Sequence, residues 1–80
     1  MKATAICVTP EHIKQGKRDA CVGCPVELGV REATGQRWLV GTMTMTLGTR
    51  DVPLPKAVSS WIRNWDAGKR CRPITFEVEL

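Results

Sequence analysis

His12, Cys21 and Cys24 put an imidazole and two thiols into one short segment, and Pro25-Val26-Glu27-Leu28 follows directly. The run from His12 to Leu28 spans 17 residues and is the constellation with chemical potential in this chain. One chemistry it could support is zinc binding. Cys21-x-x-Cys24 is a thiolate knuckle, and His12 with Cys7 or Cys71 would complete four soft ligands. Such a site would also supply folding energy to a short chain. Strong zinc signatures carry two paired spacings, however, and here there is one pair. A second chemistry is nucleophilic. A cysteine at a helix N-terminus has its thiolate favoured by the helix dipole, and His12 could serve Cys24 as base. Yet redox Cys-x-x-Cys motifs place the first cysteine at the helix start, whereas here proline follows the second. A Cys/His enzyme also needs a third orienting group and a cleft. The remaining reading is scaffold: Cys24 caps a helix and packs, His12 hydrogen-bonds to the loop, and Gly16 turns the chain. Free cysteine is among the most buried residue types. The residues favour scaffold, so no catalytic residue and no cofactor is assigned.

The elements that would position this segment follow from periodicity. Residues 2–8 alternate as a strand with mixed faces. Thr9-Pro10-Glu11 supplies an N-cap, a first-position proline and an acid at the positive end of a short helix, which Gly16 ends. A second helix opens at Pro25 and closes before Gly35, with Val26, Gly29, Val30 and Ala33 on one stripe. Residues 37–40 and 42–47 read as strands parted by a bend at Gly41, the latter with Met43, Met45 and Leu47 on its buried face. Gly48-Thr49-Arg50-Asp51 reads as a turn. Leu54, Ala57, Val58, Trp61, Ile62 and Trp65 then recur at helical spacing, with Pro55 at the start and Gly68 as stop. After Pro73, Ile74, Phe76, Val78 and Leu80 alternate with Thr75, Glu77 and Glu79 as a final strand. The order β-α-α-β-β-α-β predicts an α+β fold: a small three- to four-stranded, mainly antiparallel sheet with helices on one side.

Eighty residues make a single domain, 1–80. No apolar run reaches the roughly 20 residues of a membrane span, and Met1-Lys2-Ala3-Thr4 lacks the apolar stretch of a signal peptide, so a cytoplasmic protein is expected. In a reducing cytosol the four cysteines are not presumptively two disulfides. The net charge is +4, with cations gathered at Lys14, Lys17 and Arg18 and again at Arg63, Lys69, Arg70 and Arg72. Such clusters suit an acidic partner or nucleic acid, and equally serve solubility. Direct nucleic-acid binding is disfavoured because Trp61 and Trp65 fall on the core stripe and Phe76 points inward, leaving no stacking platform. Glu27 and Glu32 on the second helix, with Glu77 and Glu79 on the last strand, offer small acidic patches to a basic partner.

Four stretches carry a family resemblance: Thr9-Pro10-Glu11-His12-Ile13-Lys14-Gln15-Gly16; Cys24-Pro25-Val26-Glu27-Leu28; Leu54-Pro55 through Val58, Trp61-Ile62, Asp66 and Gly68; and Pro73 with Phe76-Glu77. Together they resemble a family of small proteins encoded by bacteriophages and by bacteria carrying prophages. Gly29 stands where the resemblance implies alanine, and a mid-helix glycine weakens its helix. The resemblance carries no catalytic or binding residue. It implies a class: stoichiometric binders of host machinery, a description that anti-CRISPR inhibitors fit. The expected activity is therefore binding to a host protein complex, in the specific form a CRISPR effector whose access to target DNA is blocked. A zinc-stabilised module with His12, Cys21 and Cys24 as ligands, or a basic nucleic-acid-binding accessory module, is the alternative. The candidate contacts are Glu27, Glu32, Glu77 and Glu79 for a basic partner, or Lys69, Arg70 and Arg72 for an acidic one.

Overall fold

The computed structural model describes residues 3–18 and 22–80. Its elements are β1 (Ala3–Val8), α1 (Pro10–Gln15), α2 (Pro25–Thr34), β2 (Leu39–Val40), β3 (Thr44–Leu47), β4 (Arg50–Pro53), α3 (Lys56–Asp66) and β5 (Ile74–Glu79). The fold is α+β, as the periodicities predict. The strands form two antiparallel sheets, however: β1 with β5, and β2-β3-β4.

The additional strand is β4. The turn predicted over 48–51 is shorter, only Gly48-Thr49, because Leu47 pairs with Arg50 and Thr44 with Pro53. Gly48 holds a positive φ of 62°, which glycine adopts without the penalty a Cβ would bring. β1 and β5 pair along their full length, from Ala3 with Glu79 to Val8 with Ile74. This ladder joins the two ends of the described chain.

One cluster of buried side chains unites both sheets and two helices. Ile6 and Val8 come from β1, Val26 and Val30 from α2, Met45 from β3, Val58 and Ile62 from α3, and Phe76 and Val78 from β5, with Trp38 among them. The indole Nε1 of Trp38 is buried and has no partner among the described residues. Met43, predicted on the buried face with Met45, is instead exposed. β3 begins only at Thr44, and the bend at residues 42–43 carries the Met43 side chain off the sheet face. Ala57, predicted on the α3 stripe, is likewise exposed, and Ala33 lies outside the buried face of α2.

Gly29 answers its departure from the expected alanine. A Cβ there would stand 2.9 Å from the backbone oxygen of Cys7, so α2 approaches β1 as closely as it does only with glycine at this position. Gly16 makes a similar approach: its Cβ would fall 2.4 Å from the ring of Pro25. These two contacts seat α2 against β1 and α1, and so place His12 and Cys24 relative to each other.

Candidate functional site

Thr9 caps α1, and its hydroxyl accepts the His12 N–H at 3.3 Å. His12 returns the favour through its side chain, whose Nδ1 accepts the Thr9 N–H at 3.0 Å. The pair is a capping box in which histidine stands in the third position normally held by glutamate or glutamine. An Nδ1 that accepts cannot carry a proton, so Nε2 is the protonated nitrogen and donates to Glu32 Oε2 at 2.5 Å. Both ring nitrogens are therefore engaged, one in a helix cap and one in a clamp between α1 and α2.

Cys24 is the N-cap of α2, and its Sγ accepts the Glu27 N–H at 3.4 Å. The thiol is buried. Burial pushes its pKa above the ordinary thiol value, against the opposing pull of the Glu27 and Val26 amides. The nucleophilic alternative, a thiolate favoured by the helix dipole, finds no support: desolvation exceeds the helix-terminus effect, and Cys24 caps and packs as the scaffold reading has it. As zinc ligands, His12 and Cys24 are already committed to these bonds, and Cys21 lies outside the described residues. Among the described residues no group of three or more His, Cys, Asp or Glu side chains gathers to hold a metal ion.

Glu27, a candidate contact for a basic partner, is 0% exposed. Its Oε1 accepts from the Gly23 N–H at 2.9 Å, and its two oxygens take Arg31 Nη2 at 2.5 Å and Nε at 3.1 Å. This carboxylate ties the entrance of α2 to its own next turn and offers nothing to a partner. Sequence periodicity misplaces it because the third position of a capped helix folds back toward the cap whatever face it nominally occupies. Glu32 keeps a largely exposed side chain beside His12.

The remaining acidic candidates lie elsewhere. Glu77 and Glu79 are exposed on β5 and line a groove of about 660 Å³ against β4. Asp51, which no sequence signal singled out, lines the same groove and accepts from the Thr46 hydroxyl at 2.7 Å. The groove also includes Val52, Leu54 and Val78, whose side chains belong to the core. Arg50 closes the lining with one cation, its guanidinium 6.0 Å from the centre of the Trp38 ring.

The basic candidates form a second surface. Trp61 and Trp65 stack with ring centres 5.8 Å apart and planes inclined by 14°. The Arg18 guanidinium lies 4.0 Å from the Trp65 ring centre and donates to the Trp65 carbonyl. Trp61 Nε1 donates to the Arg72 carbonyl at 2.7 Å, and Trp65 Nε1 to that of Lys17 at 3.1 Å. The tryptophans thus fasten two loops to α3, one of which displays Lys69, Arg70 and Arg72, all exposed. As their spacing predicts, both indoles lie on the core side of α3, Trp65 buried and Trp61 partly so, and they pack beside the basic loops without forming an exposed platform. Cys71, in the same loop, donates weakly to the Lys69 carbonyl, and burial raises its thiol pKa against the opposing charge of Arg18. No helix among the described residues is long and apolar enough to cross a membrane. No family model, curated protein or solved structure matches the chain.

Proposed function

We propose that this chain acts by stoichiometric binding to a protein complex of the host cell, in the specific form of a phage-encoded anti-CRISPR inhibitor that keeps an effector complex from its target DNA. The observation that carries the reading is the acidic groove between β4 and β5. Asp51, Glu77 and Glu79 line it against Arg50 alone, on a molecule whose net charge is +4. Surfaces that hold DNA are basic, and a local strip of carboxylates over an apolar floor is complementary to them. The acidic face is local, so the chain need not imitate DNA as a whole. The phage setting and the CRISPR target come from the motif resemblance, and the engagement of His12, Cys24 and Glu27 in caps supports action through the surface.

The test titrates the purified chain into a panel of purified CRISPR effector complexes with labelled target DNA. The expected result is loss of DNA binding that saturates at a fixed ratio of chain to effector, with Glu77→Lys/Glu79→Lys inactive. Effectors that bind DNA equally with and without the chain would overturn the reading.

The exposed cations Lys69, Arg70 and Arg72, held on one loop, favour a second reading, a basic nucleic-acid-binding module. That reading expects the chain to shift free DNA or RNA, with affinity falling steeply as salt rises. The inhibitor reading expects free DNA to remain unshifted.

A further inference from the structure

The groove is bounded by two strand edges, and this defines what it would hold. β4 has β3 as its ladder neighbour and β5 has β1, and the two do not pair with each other. Leu54 N–H bonds to the Met43 carbonyl at 2.8 Å. By the alternation of an antiparallel ladder, Val52 and Arg50 also bond toward β3, so the backbone groups of Asp51 and Pro53 are directed to the groove side. Pro53 has no N–H to give. Closing β4 onto β5 would also bring Asp51 toward Glu77 and Glu79, and like charges facing across strands are destabilising. The groove stays open for reasons written into its own residues.

We infer that the groove accepts an extended segment of a partner protein in which lysine or arginine alternates with aliphatic residues, added as a strand along the β4 edge. The aliphatic side chains of such a segment would reach the floor at Val52, Leu54 and Val78. Its cations would meet Asp51, Glu77 and Glu79. Its backbone would take the N–H and carbonyl of Asp51 and the carbonyl of Pro53. Strand addition draws affinity from main-chain hydrogen bonds and specificity from alternate side chains, and three carboxylates against one guanidinium select a basic occupant. This inference rests on the binding reading and names the chemistry of the contacted segment.

The probe is a labelled heptapeptide of alternating lysine and valine, measured by fluorescence anisotropy. Its comparators are the glutamate–valine heptapeptide and a lysine–valine version N-methylated at alternate backbone amides. The expected result is binding of the lysine–valine peptide, weakened about tenfold or more, roughly 1.4 kcal/mol, by N-methylation and by Glu77→Lys/Glu79→Lys. Hydrogen exchange of the Asp51 amide should slow on binding. Both substituted glutamates are exposed, so the variant keeps the fold, which circular dichroism verifies. Three outcomes overturn the inference: no binding of the lysine–valine peptide, equal binding of the glutamate–valine peptide, or indifference to N-methylation. Its failure is separable from that of the proposed function. Effector inhibition without peptide binding removes strand addition alone, and peptide binding without inhibition removes the CRISPR target alone.

Discussion

His12 is held by two bonds of different kinds, and substitution can separate them. His12→Gln keeps a side-chain acceptor that can return to the Thr9 N–H, as glutamine does in ordinary capping boxes, but gives up the reach to Glu32. His12→Ala loses both. Alanine should therefore destabilise the protein by about 1–2 kcal/mol and glutamine by clearly less, measured by urea unfolding. Equal losses would mean that the Glu32 clamp, and not the cap, carries the contribution. At Cys24 the consequence is a pH dependence. The folded thiol has its pKa raised, so below the unfolded thiol's value both states keep the proton and the full contribution is present. As pH climbs past that value the unfolded chain releases a proton that the native state retains. Stability then falls until the folded thiol itself ionises. Wild type should lose more stability than Cys24→Ser between neutral pH and about pH 10, since serine does not titrate there. In the same protein a thiol reagent at neutral pH should modify exposed Cys7 well before buried Cys24.

At the scale of elements, the seat of α2 on β1 depends on an absent methyl group. Gly29→Ala gains up to about 1 kcal/mol of helix propensity, but its Cβ meets a backbone carbonyl at 2.9 Å that cannot rotate away. Overpacking of this kind costs about 1–3 kcal/mol, so the net change should be destabilising, read as a lower melting temperature in calorimetry. A rise in melting temperature would show that α2 slides on β1 freely. The same contact marks where sequence patterns stop being informative. The helices announce themselves through Pro10, Pro25 and Pro55 at their starts, and β5 through its strict alternation. β4 does not. It is four residues long, offers Val52 as its one buried side chain and ends in proline, so nothing local separates it from a turn. Its existence is decided by pairing with β3, a non-local fact. Glu27 fails for a related reason, because helical periodicity says which face a residue starts from and nothing about where a carboxylate folds to find an N–H. Asp51 could have been found only by knowing that residues 50–53 form a strand whose edge looks toward β5. The Trp61–Trp65 pair shows the reverse case. Its helical spacing is readable, while its stack with Arg18 arises from a loop 47 residues away in sequence and has no local signature.

For the whole molecule, what matters is that charge is divided between two surfaces, because this makes the sign of a mutational effect diagnostic. Each Glu→Lys reversal adds two charges, so Glu77→Lys/Glu79→Lys takes the net charge from +4 to +8. If the chain met an acidic partner through its general positive field, this variant should bind more tightly and faster at low salt. If it meets a basic partner through the groove, the same variant should lose binding. Reversing Lys69, Arg70 and Arg72 to glutamate moves the net charge the opposite way, to −2, and leaves the groove lining untouched. The groove reading therefore expects effector inhibition to survive the basic-loop reversal and to vanish with the two-glutamate reversal, by competition with labelled DNA at moderate salt. The opposite pattern, inhibition lost with the loop and kept with the groove reversed, would transfer the function to the face held by Trp61 and Trp65. Raising the salt weakens the exposed charge contacts in both cases, since screening at about 0.15 M already acts within roughly 8 Å. It should spare the apolar floor of Val52, Leu54 and Val78, so inhibition through the groove ought to fade with salt more gradually than a contact made by the loop cations alone.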